Sequence, residues 1–364
     1  MDKVNKKIKV VVAMSGGVDS SVAAALLKKA GFDVVGVMMK FWKDSSDKKG
    51  ENRCCSVESE NLARLVAKKI GIPFYVINVE KEFKKKVVDY FLAEYKKGNT
   101  PNPCVVCNKE IKFGLLIEKA LKMGAEFLAT GHYAQTKNGR LLKGKDAQKD
   151  QSYFLWQLNK EQLKRIIFPV GNYTKPEVRK LAEKFKLPTT QTPESQEVCF
   201  ISQTTNNFLK KYLKTDPGKI ISAAQRSGAS LAPLGRGKKL GEHQGLWFYT
   251  IGQRRGLEIP QGPYYAVGKK FKENILVVSK DPKDLLQKEF IAGEVNWIFG
   301  LHPEYSLNAE IKIRYKSTPA KAKISKNGKD SVKIIFSKPQ SAITSGQSAV
   351  FYKGEELLGG GIIL

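Results

Sequence analysis

Ile8-Lys9-Val10-Val11-Val12-Ala13-Met14-Ser15-Gly16-Gly17-Val18-Asp19-Ser20 is the stretch whose reading decides the fold. Ile8 to Met14 is a largely apolar run that suits a strand buried on both faces. A Gly turn follows, and then an Ala/Leu/Lys helix from about Ser20 to Ala30. Outward from it the alternation continues: strands are expected at Val34 to Met39, Phe74 to Val79 and Phe127 to Thr130, and helices at Val57 to Ile70, Phe83 to Tyr95 and Cys107 to Met123. Residues 1–205 therefore read as an α/β domain with a doubly wound parallel sheet.

After about Asn206 the helical pattern fades. Residues 206–280 carry 14 Lys+Arg against 4 Asp+Glu, a net +10 that makes this the most basic part of the chain. From Asp281 to the end, at 364, short runs such as Ile311 to Tyr315, Val332 to Phe336 and Ser348 to Tyr352 recur between turn signals, the pattern of a small antiparallel barrel or sandwich. Three domains are expected: 1–205, 206–280 and 281–364.

Across 364 residues, 63 Lys+Arg against 35 Asp+Glu give +28, with 41% hydrophobic residues, enough for packed cores and too many for a disordered polycation. Such an excess implies a polyanionic partner, with a Lys-rich solubilising surface as the alternative. No apolar run approaches the roughly 18 residues of a spanning helix, so no membrane role and a soluble, cytoplasmic protein are expected. Five cysteines (Cys54, Cys55, Cys104, Cys107, Cys199) are no disulfide framework and point to a reducing compartment.

Ser15 to Ser20 joins the first strand to the first helix. Two glycines let backbone N–H groups approach an anion, the helix N-terminus adds positive potential, and Ser15 and Ser20 offer hydroxyls. Asp19 is a poor phosphate neighbour unless it holds Mg²⁺. A Gly-Gly turn with an ordinary helix cap is the bland alternative. The chain has no Gly-x4-Gly-Lys-Ser/Thr and no Gly-x-Gly-x-x-Gly after a strand, which argues against a P-loop NTPase and a dinucleotide enzyme. The string resembles the PP-loop of ATP pyrophosphatases, which cleave ATP between its α and β phosphates to adenylate an oxygen.

Gly98-Asn99-Thr100-Pro101-Asn102-Pro103 leads into Cys104-Val105-Val106-Cys107, and its prolines are expected to bring Cys107 to a helix start, where a thiolate is favoured. Lys109 and Lys112 lie nearby, and Cys199 can join only by folding. Half a zinc site and buried apolar thiols are the alternatives, and Cys54-Cys55 read as structural. The thiols of Cys104, Cys107 and Cys199 are also the ligand set of a [4Fe–4S] cluster with one open iron, a route that needs no persulfide on Cys199.

Further strings make the resemblance specific: Cys107-Asn108-Lys109-Glu110-Ile111-Lys112-Phe113, Ala129-Thr130-Gly131-His132-Tyr133, Lys149-Asp150-Gln151-Ser152-Tyr153-Phe154-Leu155, Cys199-Phe200-Ile201, Tyr249-Thr250-Ile251-Gly252-Gln253-Arg254-Arg255-Gly256-Leu257 and Gly346-Gln347-Ser348-Ala349-Val350-Phe351. With Met14 to Ser20, they resemble the tRNA-specific 2-thiouridylases of the MnmA family. The resemblance implies a PP-loop domain, a small central domain and a C-terminal β-barrel, and ATP-dependent 2-thiolation of the tRNA wobble uridine with release of AMP and pyrophosphate. By resemblance Ala13, Met14, Ser15, Gly16, Gly17, Val18, Asp19, Ser20, Met39 and Gly131 hold ATP with Mg²⁺. Asn102, Pro103 and Cys104 line the target base, Cys107 is the nucleophile, and Cys199 carries the persulfide and pairs with Cys107 in a disulfide. His132, Lys149, Asp150, Gln151, Arg314, Tyr315 and Gln347 contact tRNA, and a cysteine desulfurase or relay protein supplies sulfur. Some members have Asp where this chain has Cys104, so no acid/base role transfers there. The rivals are an RNA-binding protein with a vestigial nucleotide site and an amide-forming PP-loop synthetase.

Overall fold

The computed structural model describes residues 7–44, 56–192, 198–223, 237–298 and 306–364; Cys54 and Cys55 lie outside them. β1 (Lys9–Ala13) is followed by α1 (Val18–Lys29), β2 (Asp33–Lys40), α2 (Val57–Ile70) and β3 (Phe74–Asn78). Val10, Val11 and Val12 are wholly buried, as β-branched residues of a central parallel strand should be. The Ser56 hydroxyl caps α2 by accepting the Ser59 N–H, and Gly71 closes it in the left-handed conformation.

α3 (Glu80–Phe83) runs through a π-helical turn, Lys84–Val88, into α4 (Asp89–Lys96). A second long helix is assembled in the same way from α5 (Pro103–Cys107), a π-helical segment Asn108–Leu115 and α6 (Leu116–Lys122). β4 (Phe127–Ala129), the hairpin of β5 (Ala134–Lys137) and β6 (Arg140–Lys143), α7 (Lys160–Leu163), β7 (Ile166–Ile167), α8 (Lys175–Lys184) and α9 (Thr205–Tyr212) follow. The first sheet has the order β3-β2-β1-β4-β7, parallel throughout. The strand order reverses between β1 and β4, and the crevice outside the C-terminal ends of such strands is where α/β sheets bind ligands.

β8 (Gly218–Ser222), β9 (Lys239–His243), β10 (Tyr265–Lys270) and β11 (Ile275–Ser279) form a central sheet ordered β10-β11-β8-β9. β12 (Leu286–Trp297), β13 (Ser306–Lys312), β14 (Ala320–Lys326), β15 (Val332–Ser341), β16 (Ser348–Lys353) and β17 (Glu356–Ile363) close into an antiparallel barrel, because β12 pairs with both β15 and β17. Ile311, Ile324, Ile334, Phe336, Phe351 and Ile363 fill it. The expected α/β architecture with a central domain and a terminal barrel is thus observed. The β5–β6 hairpin joins the barrel edge through Leu142 opposite Glu356, and the Trp156 indole N–H donates to Ser348 Oγ at 2.9 Å, so the first domain and the barrel share a polar and apolar joint.

Candidate active site

The PP-loop string lies at the C-terminal end of β1, at the switch point. Gly16 has φ +76°, and a Cβ there would fall 2.3 Å from the Ser59 carbonyl oxygen, so only glycine lets the loop pass against α2. Gly131, after β4, has the same tightness: a Cβ would lie 2.6 Å from the Ser20 nitrogen. Gly131 and the loop, paired only by resemblance in the sequence, are therefore in direct contact. The Ser20 hydroxyl donates to the Gly17 carbonyl at 3.1 Å and accepts the Ser15 N–H at 3.2 Å. It braces the loop rather than pointing a free donor at an anion. Met14 and Met39 are buried.

Asp19, in the first turn of α1, is the most constrained group of the loop. The Lys175 ammonium donates to both of its oxygens at 2.8 Å, and the Tyr133 hydroxyl donates to Oδ1 at 2.7 Å. The Lys175 side chain is 9% exposed and that of Asp19 30%. Lys175 is the first residue of α8, which begins with a capping box between Thr174 and Glu177, and its own N–H donates to Asp146 at 2.9 Å. Sequence reading gave Lys175 no role. The helix start was legible in Thr174-Lys175-Pro176-Glu177, but nothing local signals a partner 156 positions away.

The thiol helix corrects one expectation. The helix begins at Pro103, so Cys104 occupies its first turn and Cys107 lies a full turn in, buried at the end of α5. Proline at the first helical position is the cause, since its missing N–H would be unpaired there in any case. The N-terminal field therefore acts on Cys104 more than on Cys107. The next residue, Asn108, is buried and donates to the Phe154 carbonyl at 3.0 Å. Cys104 and Cys199 are half-buried, and Cys107 and Cys199 are not joined by a disulfide in this structure. Cys199 precedes Phe200, which is held edge-on by Phe83, Phe91 and Phe208 at 5.4–5.9 Å. Both Cys107 and Cys199 pack on one core cluster. Among the described residues no three His, Cys, Asp or Glu side chains converge on a metal position. Cys104, Cys107 and Cys199 do not present a cluster ligand set in this arrangement.

Of the residues expected at tRNA, Arg314, Tyr315 and Gln347 tie domains together, while His132, Asp150 and Gln151 bond within the first domain. Asp150 is buried and accepts from the Gly144 and Ser152 N–H groups at 3.0 Å, and Gln151 accepts the Tyr133 N–H at 3.0 Å; Lys149, just before them, is half-buried. Arg314 donates to the carbonyls of Ile251 and Ala342 and to the Thr344 hydroxyl, linking the central domain to the barrel. The Tyr315 ring lies 4.5 Å from that of Phe154, and Gln347 donates to the Thr100 carbonyl at 2.7 Å. His132, bonded through Nδ1 to the Thr130 hydroxyl at 2.8 Å, is pushed well below the ordinary imidazole range by burial and then by Lys112. It is neutral at physiological pH.

Residues 8–203 match the family described as tRNA methyl transferase HUP domain, 206–280 its PRC-barrel domain, and 287–363 the aminomethyltransferase beta-barrel domain. Across its full length the chain is 44% identical over 373 residues to the tRNA-specific 2-thiouridylase MnmA of Carboxydothermus hydrogenoformans, covering 100% of this chain and 99% of that one. It belongs to the MnmA family. The MnmA proteins of Clostridioides difficile, 44% identical with 98% of each chain covered, and of Streptococcus sanguinis, 43% identical with 99% and 96% covered, are similar over the same span. As a member of this ATP-utilising family the chain binds ATP. Among the described residues no helix is long and apolar enough to cross a membrane.

Proposed function

We propose that this chain is a cytoplasmic tRNA-uridine 2-sulfurtransferase that converts the wobble uridine to 2-thiouridine. The observation that carries the reading is full-length kinship at 44% identity with 2-thiouridylases, in a chain that brings Ser15 to Ser20 to the strand switch point. The uridine 2-oxo oxygen is a poor leaving group. Its attack on the α phosphorus of ATP expels pyrophosphate and makes the oxygen part of a leaving AMP. The terminal sulfur of a Cys199 persulfide then attacks C2, and AMP departs with its bridging oxygen. Cys107 thiolate attacks Cys199 Sγ, so the S–S bond breaks, the transferred sulfur stays on C2 and a Cys107–Cys199 disulfide remains for an external thiol to reduce.

Residues 1–205 supply this chemistry and part of the RNA site, and 206–280 and 281–364 complete the grip on the RNA. Ala13 to Ser20, Met39 and Gly131 bind ATP, and the residue to hold its Mg²⁺ is Asp19, whose Oδ2 accepts only from Lys175 among the described residues. When bound, Mg²⁺ neutralises phosphate charge. Asn102, Pro103 and Cys104 receive the base, which leaves its stack at small cost because an anticodon loop is single-stranded. His132, Lys149, Asp150, Gln151, Arg314, Tyr315 and Gln347 contact the RNA, and Arg314, Tyr315 and Gln347 also fix the joints that present it. A cysteine desulfurase or relay protein loads Cys199. The test is ATP cleavage to AMP and pyrophosphate. It is expected only with a tRNA carrying uridine at the wobble position, and equal turnover with a cytidine-bearing tRNA would sink the reading.

A further inference from the structure

The loop that leads into the thiol helix is held from outside its own domain. Gly98 has φ +86°, and a Cβ there would lie 1.7 Å from the Phe271 ring, so the loop runs flush against the central domain. At that point the Lys269 ammonium of β10 donates to the Gly98 carbonyl at 2.9 Å. Two residues on, Thr100 is held on three sides. Its N–H donates to the Ser345 carbonyl at 2.9 Å, its carbonyl accepts from Gln347, and its hydroxyl meets that of Thr250 at 3.1 Å. The chain then has only Pro101 and Asn102 before the helix begins at Pro103.

We infer that Lys269 is a positioning residue of the thiolation reaction: by fixing the Gly98 carbonyl it sets where Asn102, Pro103 and Cys104 meet the target base. This rests on the reading of those three residues as the base pocket. Burial lowers the Lys269 ammonium to about 8, so the charge sits where water solvates it poorly and its hydrogen bond goes to a main-chain carbonyl. A methionine of similar length would fill the same space without that desolvation. What the lysine adds is a fixed donor on the loop, and an error of about 1 Å in such a support costs about 100-fold in rate.

The test uses the full-length enzyme with substrate tRNA, ATP, Mg²⁺ and a persulfide donor, comparing Lys269→Met and Lys269→Arg. The Met variant should lose about 10-fold or more in single-turnover rate at saturating tRNA and ATP, with tRNA affinity and the ATP KM within about 3-fold of the parent. The Arg variant, which keeps a charged donor, should recover most of the rate. A Met variant with parental rate, a loss that appears wholly as weakened tRNA binding, or a folded Arg variant as impaired as Met would each overturn the inference. Should Lys269→Met not fold, Lys269→Gln is read by the same criteria. Failure of the base-pocket reading is seen separately, as an Asn102→Ala variant with parental rate and tRNA affinity.

Discussion

Lys175→Met removes the cation from the Asp19 carboxylate while keeping a side chain of similar length. In the parent, two 2.8 Å contacts and the Tyr133 hydroxyl surround that carboxylate, at the N-terminus of α1. Breaking a buried pair by deleting one partner costs about 3–5 kcal/mol, and the 30% exposure of Asp19 reduces this to about 2 kcal/mol. For a domain of this size that lowers Tm by about 4–8 °C. Without Lys175 the two Asp19 oxygens also lose the cation that fixes their orientation, so the carboxylate proposed to hold Mg²⁺ is misplaced and pyrophosphate release should fall about 10-fold or more. The assay is thermal unfolding together with tRNA-dependent pyrophosphate release across an ATP titration. Asp19→Asn combined with Lys175→Met removes both charges, so the double variant should recover most of the lost stability without recovering activity. A Lys175→Met protein with parental Tm and pyrophosphate release within about 2-fold would refute the ion-pair reasoning.

Asp19→Ala should abolish pyrophosphate release while leaving tRNA affinity nearly unchanged, as measured by filter binding, because it removes no contact to the RNA backbone. Cys199→Ser should release pyrophosphate but form no thiolated tRNA, and thiolation by this variant from a persulfide donor would refute its role. Binding of tRNA should weaken steeply with salt, and charge reversal at the exposed Arg254 and Arg255 should weaken it further; an affinity flat with ionic strength contradicts the net charge of +28 as the source of binding. Lys269 gives a pH prediction. With its folded value depressed to about 8, the folded chain binds fewer protons than the unfolded one from about pH 8 upward. Its contribution to stability therefore rises with pH across that window, by up to about 3 kcal/mol near pH 10, and the difference between parent and Lys269→Met in chemical denaturation should show this slope.

The parallel sheet was legible because its strands are short apolar runs with turn signals at their ends, and Ile8 to Met14 differs from β1 (Lys9–Ala13) only at its edges. The first helix starts at Val18 rather than Ser20 because Gly17 is its cap, a position where glycine gives no side-chain signal. The β5–β6 hairpin escaped because Gln135, Lys137 and Arg140 carry no apolar pattern, and its pairing with β17 is settled some 200 positions away. The glycine loop stands out by its place after a buried strand and the cysteines by their spacing, while the roles proposed for them come from the family resemblance. Lys175 and Lys269 could not be read in this way, since their partners Asp19 and Gly98 lie 156 and 171 positions away, and one more lysine in so basic a chain carries no information by itself. The thiol helix was placed one turn late, although Asn102-Pro103 contained the start signal.

The most direct test of the account is mass spectrometry of tRNA nucleosides after incubation of the full-length chain with tRNA, ATP, Mg²⁺ and a persulfide donor. The account predicts replacement of oxygen by sulfur at C2 of the wobble uridine alone, with one AMP and one pyrophosphate formed per sulfur. Bound but unmodified tRNA, or sulfur on any other base, would contradict it.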